Sequence, residues 1–187
     1  GDYKKQVTAG FNALVRSQDA DGGFFKSGTN NARLYTQAQC TIAVCELYGM
    51  TKDTNYRHVA ELAVKFCVEA QDPELGGWRY EPRFDSDTSV TGWMVMALQS
   101  ARMAEFDVPS TTLSKVGEFL DSVSEGGSRY AYQVGVVPNE VMTAEALLCR
   151  QYLGWSRDDP RLLEGVKFVM QFPPRWEDRN LYYWYYG

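Results

Sequence analysis

Apolar residues recur at spacings of three and four in four separate stretches of the chain. Phe11, Leu14 and Val15 form the first, Val59, Leu62, Ala63, Phe66 and Cys67 the second, and Val116, Phe119, Leu120 and Val123 the third. Leu162, Leu163, Val166, Phe168 and Val169 form the fourth. That spacing lines one face of a helix, so each stretch predicts an amphipathic helix. Three of them lead into runs that are apolar on most sides: about Tyr35 to Tyr48, Asp87 to Met103 and Asn139 to Leu153. A helix apolar on most sides is buried on most sides. Leu181 to Tyr186 takes the place where a fourth such run should start, and the fourth pair reads as cut short. The pattern predicts an all-α chain, a single domain over residues 1–187, with repeats near 4–54, 55–107, 110–155 and 158–187. About three and a half helical hairpins result.

The turns repeat as well. Ser17 to Phe25 reads SQDADGGFF, and Ala70 to Tyr80 reads AQDPELGGWRY. A third glycine pair, Gly126-Gly127, lies in SEGGS, Ser124 to Ser128, with neither the Gln nor the Trp. Glycine supplies the positive φ that ends a helix sharply. The Gln amide is expected to bond orphan backbone groups at that helix end. The aromatic that follows is expected to pack over the turn.

On these residues the chain resembles the prenyltransferase and squalene oxidase repeat family, which includes squalene-hopene cyclases and the β subunits of protein prenyltransferases. The turn motif of its cyclases is Gln-x3-Gly-x-Trp. Gln18 to Phe24 fits it with Phe for Trp, and Gln71 to Trp78 fits with one extra residue. The resemblance implies an α/α toroid of helical hairpins, here a partial one, with the starts of the inner helices facing one mouth. It also implies where chemistry would sit. Class II terpene cyclases carry Asp-x-Asp-Asp-Thr near an inner-helix start. The nearest match here is Phe84-Asp85-Ser86-Asp87-Thr88, which puts Ser86 in the position of the acid. A serine hydroxyl is far too weak an acid to protonate an alkene. Asp85 and Asp87 remain as displaced acid candidates, and Asp87 and Asn139 also fit as helix N-caps. The zinc ligands of the protein prenyltransferases are not matched, nor is the Gly-Cys-Gly-Glu-Gln motif of complement-type thioester domains.

The candidate ligand face consists of Trp78, Arg79, Tyr80, Trp93, Tyr130, Tyr182 and Trp184, all near turns or inner-helix starts. Aromatic faces there suit an isoprenoid, another apolar small molecule or a sugar. Asp85 with Glu140 or Glu145 is a possible carboxylate pair flanking a sugar.

Composition narrows the choice. Aromatics make 14% of the 187 residues, well above the rest of an otherwise ordinary composition. The net charge of −5 argues against nucleic acid, which needs a basic face. His58 is the only histidine and no CxxC occurs, so no metal, no cofactor and no Ser-His or Cys-His pair is expected. Cys40, Cys45, Cys67 and Cys149 read as buried free thiols, which leans toward a reducing, cytoplasm-like compartment without fixing one. No apolar run reaches membrane-spanning length. The expectation is a squalene-cyclase-like repeat module that binds a ligand or a partner, with a protein or a second copy at the open end of the barrel. The alternative is an enzyme on an isoprenoid or polysaccharide with Asp85 or Asp87 as the acid.

Overall fold

The computed structural model describes residues 2–187. The helices are α1 (Lys4–Ser17), α2 (Arg33–Thr51), α3 (Thr54–Glu69), α4 (Thr88–Met103), α5 (Ser110–Ser122), α6 (Glu140–Tyr152), α7 (Pro160–Val169) and α8 (Leu181–Tyr186). Two short strands, β1 (Ser124–Glu125) and β2 (Arg129–Tyr130), form an antiparallel pair with Ser124 opposite Tyr130. The all-α expectation holds, and the helix boundaries fall within about three residues of those read from periodicity.

The even-numbered helices pack in series: α2 on α4, α4 on α6, and α6 on α8. Helix α3 packs against α2 and α4, and α7 against α6. Burial follows the sequence pattern. Helix α4 buries residues on all sides, from Thr88 and Val90 through Met94, Ala97, Leu98 and Ala101. The amphipathic α5 buries one stripe, Thr112, Val116, Phe119 and Leu120. Helix α1 buries no residue fully.

The repeat is visible in individual bonds. The amide of Phe24 donates to the Gln37 side chain at 2.9 Å, that of Trp78 to Thr91 Oγ1 at 3.0 Å, and that of Tyr130 to Thr143 Oγ1 at 3.0 Å. In each case the acceptor lies 13 residues further on, in the first turns of the next even-numbered helix. Tyr130 therefore takes the aromatic place in the third turn, two residues later than the sequence motif looks for it. The third copy has lost its Gln but kept its aromatic.

The conserved geometry of the Gln corrects one expectation. Gln18 Nε2 donates to the Val59 carbonyl at 2.9 Å as well as to Gly22 O at 3.3 Å. Gln71 Nε2 donates to Thr112 O at 2.9 Å and Gly76 O at 2.8 Å. Each Gln thus ties its turn to the next odd-numbered helix rather than capping its own. The turn must come that close because its backbone does: a Cβ on Gly22 would lie 2.2 Å from Leu62 O, and one on Gly76 2.5 Å from Lys115 O. Both glycines also have positive φ, 93° and 85°. At the third turn Arg129 lies over the Phe168 ring of α7, at 4.9 Å, and joins the neighbours without the Gln.

Candidate functional site

The segment from Trp78 to Asp87 leads from the second turn into α4. Its backbone folds back on itself, with Asp87 N bonded to Trp78 O at 3.0 Å. Arg83 and Asp85 both take left-handed φ, 61° and 62°. The equivalent bond from Asn139 N to Tyr130 O, at 3.1 Å, starts α6.

Asp87 is the N-cap of α4. Its Oδ1 accepts from Val90 N at 2.7 Å, as Asn139 accepts from Met142 N and Asn180 from Tyr183 N. The other oxygen, Oδ2, accepts from the Tyr132 hydroxyl at 2.8 Å, and Tyr132 is in turn bonded to Tyr80 at 2.8 Å. Asp87 is fully buried. Burial pushes its carboxyl up to about 6, against the cap bond, Tyr132 and the nearby Arg79, all of which favour the charged form.

Asp85 is different. It pairs with Arg79 and accepts from Ser86 N at 2.7 Å, and Gln133 Nε2 reaches both its oxygens at 3.3 and 3.2 Å. Partial burial opposes ionisation, but the Ser86 amide and the Arg79 guanidinium prevail and hold this carboxyl below the usual range. The Arg79 guanidinium lies 4.9 Å from the Tyr80 ring centre and 5.9 Å from that of Tyr132. The side chains of Arg79 and Asp85 are about a quarter exposed, 28% and 27%. Ser86 is buried, and its hydroxyl accepts from Gly77 N at 3.1 Å.

A second network lies at the crossing of the even-numbered helices. Tyr35 of α2 is bonded to Ser89 of α4 at 2.7 Å, and Ser89 to Tyr182 of α8 at 2.6 Å. The Tyr182 hydroxyl reaches both carboxylate oxygens of Glu145 on α6, at 2.9 and 3.0 Å. Each of the four helices supplies one group. Glu145 is fully buried, and burial, with the charge of Asp87, raises its carboxyl well above the ordinary value against the bond from Tyr182. Its side chain fits only because residue 92 has none: a Cβ on Gly92 would lie 2.1 Å from Glu145 Oε1. Tyr185 stacks on Trp93 at 5.6 Å and 7°, closing the same face.

The candidate ligand residues therefore divide. Arg79 and Tyr80 stand together at an accessible surface with Asp85 and Tyr132. Trp93 and Tyr182 belong to the face closed by α8. Trp184 is elsewhere, lining a cleft of about 350 Å³ with Glu140, Arg175 and Asp178, and its indole nitrogen is buried without a partner. Trp78 and Tyr130 are wholly buried, with their polar atoms bonded to Cys67 O and to Gly127 O and Arg150, so in this conformation they belong to the core and are closed to solvent. The sugar-flanking pair of Asp85 with Glu145 is not formed at the surface, because Glu145 is sealed. Its signal in the sequence was a lone Glu inside the apolar run MTAEALLC. Ser89, Tyr35, Tyr132 and Gln133 gave no such signal, because short polar residues and tyrosines occur on any helix face.

Other chemistry is restricted. His58 is exposed on α3. Burial pushes the Cys67 thiol up to about 11 and that of Cys45 to about 12, which leaves both unreactive, while Cys40 is only half-buried. Among the described residues no His, Cys, Asp and Glu cluster could hold a metal ion, and no helix is long and apolar enough to cross a membrane. A cleft of about 530 Å³ lies between α3 and the Glu105–Pro109 connection, at the far end of α4 from Asp87, and contains neither network. Compared with known protein families, curated proteins and solved structures, the chain finds no match.

Proposed function

We propose that the chain is a squalene-cyclase-like repeat module that binds a ligand or a partner and does not carry out acid-catalysed cyclisation. The repeating turn bonds and the serial packing of the even-numbered helices support an α/α toroid arrangement. The observation that carries the non-catalytic reading concerns protons. A cyclase-like acid must be both protonated and open to substrate. Asp85 is accessible but ionised and paired with Arg79, whereas Asp87 and Glu145 hold protons more readily but are sealed.

The ligand face we infer is the accessible group of Arg79, Tyr80, Tyr132 and Asp85, which suits an isoprenoid carrying an anionic head, or a sugar stacked on the tyrosines. Exposed apolar side chains on α7, α8 and the segment between them, Val166, Met170, Phe172, Trp176, Leu181 and Tyr185, favour a protein partner or second copy at that end.

Native mass spectrometry of the protein as purified, followed by denaturing extraction, tests the reading. A copurifying lipid or saccharide that is lost in Arg79→Ala supports the module. Turnover of a bound isoprenoid or polysaccharide that disappears in Asp87→Asn, with binding intact, would replace it by the enzyme reading.

A further inference from the structure

Among the described residues Glu145 has no cation partner, and the hydroxyls that favour its charge, Tyr182 in direct hydrogen-bond contact and Tyr186 beside it, both come from one helix of six residues. Tyr182 has a single proton, so it donates to one carboxylate oxygen at a time, and the same hydroxyl is shared with Ser89. A neutral carboxyl is well accommodated there. A charged one has lost its water and has too few donors to replace it. Helix α8 is also short and lightly held. Leu181 and Tyr185 face solvent, and of its residues only Tyr183 is fully buried. Its separation from the fold would readmit water to Glu145 while leaving α2, α4 and α6 packed on one another.

We propose that α8 is a reversible latch, closed while Glu145 is protonated and released when Glu145 ionises. Release uncovers Ser89, Tyr35 and the face of Trp93 that Tyr185 covers, so the latch governs access to the centre of the helix array. The direction follows from linkage: the closed state binds the proton more tightly than the open state, so rising pH favours opening.

The other titratable groups facing Glu145 do not reproduce this behaviour. From α2 comes Tyr35, pushed up to about 12 by burial despite its bond to Ser89. From α8 come Tyr182 and Tyr186, both raised by burial, and from α6 itself Cys149, likewise raised. All of these stay uncharged to at least pH 9. From the start of α4 comes Asp87, whose charge opposes ionisation of Glu145 but whose own bonds go to Val90 and Tyr132, not to α8.

Hydrogen exchange of the full chain between pH 5 and pH 9, corrected for the intrinsic exchange rate, tests the latch. Protection of the α8 amides should fall by at least about tenfold over that range, the change that follows from one unit of difference in carboxyl pKa between closed and open states. The α4 amides should keep theirs. Glu145→Gln should leave α8 protection flat with pH, and Asp87→Asn should leave the fall in place. Tyr182→Phe should weaken protection already at pH 5. A wild-type protein whose α8 protection does not change with pH would overturn the proposal. So would loss of protection in α4 and α8 together, which is global unfolding and can be read on the wild type even if Glu145→Gln fails to fold. A fall that survives in a folded Glu145→Gln would assign the effect to another group and overturn it equally.

Discussion

Asp87 shows how one side chain can be fully committed. One oxygen caps α4 and the other holds Tyr132. Asp87→Ala leaves the buried Val90 amide without its cap and takes one of two partners from the Tyr132 hydroxyl, and should cost about 1–3 kcal/mol in urea unfolding. Asp87→Asn retains a capping oxygen and should cost less. The carboxyl is raised to about 6, above its unfolded value, so its contribution to stability is fully present below about pH 4 and is lost as pH rises through about 6. The decline in stability between pH 4 and pH 8 should therefore be shallower in Asp87→Asn than in wild type. An equally steep decline would assign the pH dependence to Glu145. Gln71 makes a comparable case for the turns. Of its two buried bonds one closes the turn and the other ties it to α5, and Gln71→Ala should lower stability by about 1–2 kcal/mol with the helix content unchanged by circular dichroism.

Between elements, glycine sets how closely helices and turns approach. Gly76→Ala puts a methyl group against the Lys115 carbonyl at a φ that L residues rarely adopt, so the turn and α5 must separate. The expected loss is about 2–4 kcal/mol by thermal unfolding, as overpacking and backbone strain act together. At the α4–α6 contact, Gly92 and Glu145 occupy one volume. Gly92→Ala alone should be strongly destabilising, because the buried Glu145 side chain has no free direction. Combined with Glu145→Ala it should cost about 1–3 kcal/mol less than the sum of the single changes. Additive losses would mean that the two residues do not share the space.

Across the whole molecule, burial is graded along the array. Helices α4 and α6 are enclosed by neighbours, whereas α1 buries no residue fully and meets the rest through partly buried side chains such as Leu14 and Val15. In a stack held by nearest-neighbour contacts, the ends open before the middle. Hydrogen exchange at pH 5 should give the least protection in α1 and the greatest in α4. Uniform protection would indicate a single cooperative unit. The exposed Met170, Phe172 and Trp176 lie at the other end, where a binding partner would be expected to raise protection.

Periodicity alone determined the helices, their alternation of one-sided and all-round burial, and the repeating glycine turns, because each depends on residues close together in the chain. The cap at Asp87 was legible for the same reason: Asp before an apolar helical run has few other local uses. What the tertiary structure decided was which polar groups meet. Tyr35, Ser89, Glu145 and Tyr182 are far apart in sequence, and only the packing of α2, α4, α6 and α8 brings them into one chain of hydrogen bonds. Likewise, no local pattern separates the core aromatics Trp78 and Tyr130 from the accessible Tyr80. Burial is a property of the neighbours, and those come from other turns of the repeat.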